Sequence, residues 1–156
     1  MRGEISVRPI GSVKSARAEP VDDGWDRIDT TIVLDAAELE PDAVLGLAGF
    51  SHIEVVYLFD RVDPAKVCRG ARRPRGRADW PLTGILAQRA KDRPNRIGVT
   101  ICRLLRVENN LLHVQGLDAI DGTPVLDIKP VMRGFLPRGD VREPNWANEL
   151  MAGYWE

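Results

Sequence analysis

Short runs of β-branched and aromatic residues, cut at close intervals by Gly, Pro, Asn and Asp, occupy most of this chain, and little of it holds a helical apolar period. Such spacing cannot build a helix bundle; it predicts strands joined by turns. The strongest run is HIEVVYLFD, residues 52–60. Its apolar content is continuous rather than alternating, which predicts a strand covered on both faces. Residues 25–34, WDRIDTTIVL, also read as extended, because Ile28, Thr30, Thr31, Ile32 and Val33 favour a pleated backbone. Thr83–Ala87 and Ile97–Val107 read as further strands, with Ile97, Val99 and Ile101 on one face.

The turn chemistry supports this division. The RPNR of residues 93–96 reverses the chain, Asn109 and Asn110 close a hairpin into LLHVQGL, and Asp121-Gly122 turns into PVLDI. Ile5–Val13, broken by Pro9 and Gly11, suits a strand or bent hairpin at a sheet margin. In EPDAVLGLAGF, Pro41 can open one or two helical turns that Gly46 or Gly49 ends. A short helix is expected from Trp146 to Ala152. The resulting fold class is all-β: a small closed β-barrel over residues 1–132, with one or two short helices and a C-terminal tail, 133–156, packed on the barrel or on a dimer partner. A chain of 156 residues suffices for one such domain without disulfide or metal staples. No G-x-G occurs, so the glycine fingerprint of the doubly wound nucleotide fold is missing.

Charge is unevenly placed. Residues 61–106 carry 13 Lys or Arg against 3 Asp, although the whole chain has a formal charge of −1. A segregated field of this kind attracts polyanions, and nucleic acid is the expected partner. Within it, residues 61–82 follow neither apolar period and read as a long functional or disordered loop. Arg69, Arg72, Arg73, Arg75 and Arg77 crowd into nine residues, too densely for nearby acidic partners to account for them. Contact with phosphates is the leading reading, with a solvated basic loop as the alternative. Trp80 could stack on a base or anchor the loop. Arg93 and Arg96 divide between phosphate contact and simple solvation.

Cys68 and Cys102 lack a CxxC companion, which argues against zinc and against a structural disulfide. His52 and His113 have no nucleophile or metal company, and no metal is expected. The N-terminal residues lack a signal-peptide pattern and no apolar stretch approaches a membrane span, so a cytoplasmic protein without membrane association is expected.

Four blocks, IGSVKSA (10–16), LAGFSHIEVVYLF (47–59), GILAQRAKDRPNRIG (84–98) and GLDAIDGTPVLDIKP (116–130), together resemble the TsaA-like family, also called TrmO or YaeB-like. The resemblance implies an S-adenosylmethionine-dependent tRNA methyltransferase on a small β-barrel, acting as a homodimer on the exocyclic amine of threonylcarbamoyl-adenosine beside the anticodon. It also implies that Arg89 and Val99 contact the cofactor, and that Leu117, Asp118, Asp121, Gly122, Thr123 and Pro124 form another wall of the same pocket. Four sites depart from the family pattern. AEPVDDGW stands where a PRQ-type tripeptide is usual, Asp60-Arg61 where a His-Gln pair is usual, Arg96 where Pro is usual and Val131 where Tyr is usual. Asp60 and Arg61 either substitute for the polar pair in cofactor binding or salt-bridge.

Methyl transfer from a sulfonium needs alignment and exclusion of water rather than a nucleophilic residue. An adenine amine is a weak nucleophile, and a carboxylate accepting its N–H would help it. Asp118 and Asp121 are the candidates for that role or for a cofactor contact, unless they serve only as turn residues. Arg89 is the candidate partner for a ligand carboxylate, or else for a neighbouring acidic side chain. Two other readings stay open: a different acceptor for the same donor, and a non-catalytic RNA-binding barrel.

Overall fold

The computed structural model describes residues 3–156. Six strands close into an antiparallel barrel: β1 (Gly11–Ser15), β2 (Asp29–Leu34), β3 (His52–Leu58), β6 (Ile97–Glu108), β7 (Leu111–Gln115) and β8 (Pro124–Pro130). Their order around the wall is β1-β2-β7-β6-β3-β8, and β8 returns to β1 through the pairs Gly11 with Val125 and Ser12 with Pro124. Closure leaves the barrel itself without a free edge. The basic segment adds a separate two-stranded ribbon, β4 (Ala71–Arg72) against β5 (Thr83–Gly84). A helix, α1 (Asn145–Met151), lies near the C-terminus.

The period-2 geometry of the strands sorts side chains between the barrel interior and the outside. Val13, Ile32, Leu34, Ile53, Val55, Tyr57, Cys102, Leu112, Val114 and Val125 face inward and form the core. In β3 only Ile53, Val55 and Tyr57 are buried; His52, Glu54, Val56 and Leu58 are half-buried on the outside. The expectation of a strand covered on both faces is therefore corrected, because a closed barrel gives each strand one interior face. In β6 the alternating set Ile97, Val99 and Ile101 does share a face, and that face is the outer one; Gly98, Thr100 and Cys102 point inward.

Gly98 is required by packing. It sits opposite Tyr57 in the β3–β6 register, and a Cβ there would stand 2.4 Å from Cε2 of the Tyr57 ring. The aromatic ring fills the space that a side chain would need. Register shifts at Val56/Tyr57 and Leu104/Arg106 bend the wall locally.

The turns follow the residues expected to make them. Asn95, Arg96 and Asn109 adopt left-handed backbone at φ 63°, 53° and 54°, and Gly122 does so at 81°. Pro41–Val44 and Leu47–Gly49 form two 3-10 turns separated by the left-handed Gly46. Residues 3–10 hold no strand, and the first one starts only at Gly11. Thr83–Ala87 is strand for two residues, after which Ile85 turns into a 3-10 segment with its side chain buried. The 61–82 segment is not structureless: besides β4 it holds 3-10 turns at Pro64–Lys66 and Pro74–Gly76.

After α1 the chain returns to the barrel. The Tyr154 carbonyl accepts the backbone N–H groups of Gly24 and Trp25 at 2.9 and 3.2 Å, and the Trp155 carbonyl accepts that of Asp26 at 3.1 Å. Among the described residues no helix is long and apolar enough to cross a membrane.

Candidate active site

The site centres on the loop between β7 and β8. Leu117 and Thr123 are buried and anchor it from below, while Asp118, between them, is half-buried. Its carboxylate is held by three hydroxyls from three parts of the chain. Tyr57, at the end of β3, donates to Oδ1 at 2.6 Å; Thr100 of β6 donates to the same oxygen; Tyr154 of the tail donates to Oδ2. Tyr57 also lies 3.0 Å from the Thr100 hydroxyl and 3.2 Å from the Asp118 carbonyl.

A carboxylate offers about four lone-pair positions. Oδ1 is filled by two hydroxyls and Oδ2 carries one, so a single acceptor position on Oδ2 is left for a ligand. The electrostatics follow. Burial first, and the Asp118 charge second, push the phenols of Tyr57 and Tyr154 above their ordinary value. Burial, reinforced by Asp118, also pushes the Cys102 thiol up to about 12.

Asp121 sits differently. Its carboxylate accepts the Ser15 backbone N–H at 3.0 Å, and its own N–H donates to the Arg17 carbonyl at 2.8 Å. These bonds tie the turn to the end of β1. Arg61 reinforces the same turn, donating to the Asp121 and Ala18 carbonyls at 2.8 and 3.1 Å, with its guanidinium 3.4 Å from where a Cβ on Gly122 would stand. Of the two readings for Arg61, the salt bridge is not seen among the described residues: it clamps backbone carbonyls rather than pairing with a carboxylate. Asp60 is exposed beside it. Pro124, half-buried, starts β8.

Arg89 is exposed and donates to the Val99 carbonyl, one residue from Thr100. It makes no ion pair among the described residues, so its remaining N–H groups are available. Its charge, like that of Arg75, acts on the Tyr154 phenol. The two blocks far apart in sequence are linked through β6: Arg89 binds the Val99 carbonyl, and Thr100, the next residue, binds Asp118.

The basic segment departs from expectation. Arg72 pairs with Asp92, Arg75 with Asp23 at 2.8 Å, and Arg77 with Asp79, so three of the five clustered arginines do have acidic partners. Asp23 and Asp92 lie 52 and 20 residues from their arginines, which is why no local window revealed them. Arg73 donates to the Trp80 carbonyl, and Arg69 has no ion pair among the described residues. Arg93 and Arg96, both half-buried, donate to the carbonyls of Gln88 and Val62 at 2.7 and 2.9 Å.

Trp80 is only 4% exposed. Its indole N–H donates to Glu149 at 2.6 Å, its ring lies 6.3 Å from that of Trp146, and the Arg77 guanidinium covers it at 4.2 Å. In this conformation it anchors the loop to α1 and offers no open face to a base. Sequence reasoning missed Tyr57, Thr100 and Tyr154 as partners of Asp118. One signal was available: the chain holds only two tyrosines, and both converge on this carboxylate.

The donor set fits a zwitterionic, cationic nucleoside. A guanidinium with free N–H groups can take its carboxylate, and an oxygen of Asp118 can take an N–H or O–H. A cavity of about 410 Å³ elsewhere, between the 39–50 segment and the barrel, is walled by Ile10, Leu34, Val44, Phe50 and Ile128. Its walls are mainly aliphatic, and it lacks a free guanidinium: the Asp127 carboxylate at its edge is paired with Lys129 and accepts the Ile128 N–H.

Comparison with known proteins agrees with the architecture. Residues 13–135 match the model of the tRNA-methyltransferase O N-terminal domain. A human tRNA (adenine(37)-N6)-methyltransferase is 35% identical over 102 residues, covering 65% of this chain and 23% of the human protein. A probable S-adenosyl-L-methionine-binding protein of Methanothermobacter thermautotrophicus is 39% identical over 134 residues, covering 81% of this chain and 90% of that one. A crystal structure of TrmO superposes with a TM-score of 0.75 at 31% identity, over 90% of this chain and 64% of that one. The chain thus spans about a quarter of the human relative and about two thirds of the solved structure.

Proposed function

The chain belongs to the tRNA-methyltransferase O N-terminal domain family, and from that premise we propose that it is an S-adenosylmethionine-dependent methyltransferase acting on the exocyclic N6 amine of an adenosine in tRNA. Threonylcarbamoyl-adenosine beside the anticodon is the proposed substrate, a homodimer the proposed working form and the cytoplasm the proposed compartment. The observation that supports the reading is a short relay: Arg89, free of any acidic partner among the described residues, donates to the Val99 carbonyl beside Thr100, and Thr100 donates to an Asp118 carboxylate that carries three hydroxyls in all.

The cofactor supplies, when bound, a methyl group already activated on a sulfonium. The protein's share is placement and polarity. Arg89 binds the carboxylate end of the methyl donor, with Val99 and the Leu117–Pro124 turn as walls. Asp118 accepts an N–H of the adenine amine, which raises electron density at nitrogen and stabilises positive charge as it develops there. Asp121 and Arg61 keep the turn rigid, so that the carboxylate is presented in one orientation.

RNA is recruited by the basic face. Arg72 pairs with Asp92 at a half-buried position and serves the loop, whereas Arg69, Arg73, Arg75 and Arg77 are exposed. The Arg75–Asp23 pair is partly exposed, at 27% and 45% of the side-chain surfaces, and ion pairs in contact with solvent contribute about 1 kcal/mol or less. A phosphate can therefore replace the aspartate at small cost. Arg93 and Arg96 extend the basic face around the pocket rim.

Incubation with labelled methyl donor and tRNA, followed by mass spectrometry of nucleosides, tests the reading. N6-methylated adenosine derivatives are expected; donor binding with no transfer to any RNA would refute it. Methylation of some other acceptor would instead favour the reading prompted by Asp60, Arg61, Arg96 and Val131. Arg89→Ala should weaken donor binding at least tenfold in calorimetry while changing tRNA affinity little.

A further inference from the structure

Tyr154 comes from outside the segment that carries the family's blocks, yet it reaches the centre of the site. Its backbone is fixed first. The Tyr154 carbonyl holds the N–H groups of Gly24 and Trp25, its own N–H donates to the Met151 carbonyl at 3.1 Å, and its ring packs edge-on against Trp155 at 5.0 Å between centroids. With main chain and ring both held, the phenol has one direction left, and it meets Oδ2 of Asp118.

That oxygen matters because Oδ1 is already saturated by Tyr57 and Thr100. With Oδ1 held by β3 and β6 and Oδ2 held by the tail, the carboxylate plane cannot rotate, and its last lone pair points in a fixed direction. We propose that Tyr154 is a positioning residue: its phenol orients the Asp118 carboxylate so that the remaining acceptor position on Oδ2 faces the amine to be methylated, making the C-terminal segment part of the active site. The proposal rests on the reading of Asp118 as the acceptor for that amine.

The groups facing this carboxylate are Tyr57 from β3, Thr100 and Cys102 from β6 and Tyr154 from the tail, with the Arg89 and Arg75 charges acting on Tyr154. Removal of the Tyr154 hydroxyl alone leaves every packing contact of the ring. Tyr154→Phe should therefore fold with a thermal midpoint close to wild type, bind the donor within about threefold, and lose about tenfold in kcat, in line with the loss of one preorganised hydrogen bond. Because the phenol acts through Asp118, the same substitution in an Asp118→Asn background should cost little further, whereas independent roles would add.

Four measurements decide the matter: methyl transfer, donor binding, the double-mutant cycle, and phenolate absorbance against pH. The difference in absorbance between wild type and Tyr154→Phe isolates the Tyr154 phenol, since only Tyr57 remains in the variant. In Asp118→Asn this phenol should ionise at lower pH than in wild type. An unchanged kcat in Tyr154→Phe, additive losses in the cycle, or a Tyr154 titration indifferent to Asp118 would each overturn the proposal. Wild-type protein that binds donor yet transfers no methyl would instead sink the activity reading, and the phenol titration would still judge the contact between Tyr154 and Asp118.

Discussion

At the scale of single residues, the site depends on a few atoms whose partners lie far away in sequence. Tyr57 and Asp118 are 61 positions apart, Thr100 and Asp118 are 18, and Tyr154 and Asp118 are 36. The two phenols give the fold a pH dependence whose sign is fixed by their raised values. The unfolded chain releases phenol protons near the ordinary value of about 10, where the folded protein still keeps them. The stabilisation is therefore fully present below that pH and is lost as pH climbs above it. For Tyr57, 1% exposed, the expected slope approaches 1.4 kcal/mol per pH unit, with a smaller share from the more exposed Tyr154. Urea unfolding between neutral and strongly alkaline pH checks this, and a flat profile would show that the phenols ionise freely. Gly98 gives a second residue-scale test. Gly98→Ala must displace the Tyr57 ring and should cost about 1–3 kcal/mol in denaturant unfolding.

At the scale of elements, the arginine-rich segment is the instructive case. Its lack of either apolar period was legible, and so was its charge; its order was not. Order comes from Trp80, sealed between Arg77, Trp146 and Glu149, and from ion pairs with Asp23 and Asp92 that lie outside the segment. Trp80→Ala should accordingly lower stability by about 3–5 kcal/mol, the range for emptying a buried indole site. Weakened RNA binding with unchanged stability would instead indicate a stacking platform. The strand β6 gives a parallel lesson. The alternation of Ile97, Val99 and Ile101 identified a face, but the burial of Gly98, Thr100 and Cys102 makes it the outer one. An apolar stripe does not say which side of a barrel it occupies. The reason is that the small and polar inward residues accommodate the Tyr57 ring and bind Asp118, a demand set by other strands.

At the scale of the whole molecule, the tail joins otherwise separate parts: α1 contacts the arginine segment through Glu149 and Trp146, and Tyr154 contacts Asp118 and the 24–25 backbone. Deleting residues 144–156 strips partners from the Gly24, Trp25 and Asp26 N–H groups and from the Trp80 indole at once. The thermal midpoint should fall by more than about 5 °C, with methyl transfer lost beyond the effect of Tyr154→Phe. Equal behaviour of the truncated and full chains in calorimetry would contradict this coupling. Much of the barrel was readable from local chemistry. Strand content, the hairpin at Asn109, the left-handed turns at Asn95 and Gly122 and the 3-10 turns after Pro41 depend on each residue's own backbone preferences and its near neighbours. That the Arg89 and Asp118 blocks share one site was an expectation drawn from their resemblance to a known family, and it stands here as part of the proposal. The hydroxyl cage around Asp118, the seat of Trp80, the ion pairs of the arginines and the inward Gly98 were not readable in this way. They arise only when the barrel closes and brings residues tens of positions apart within hydrogen-bond reach, and no run of neighbouring residues carries that information.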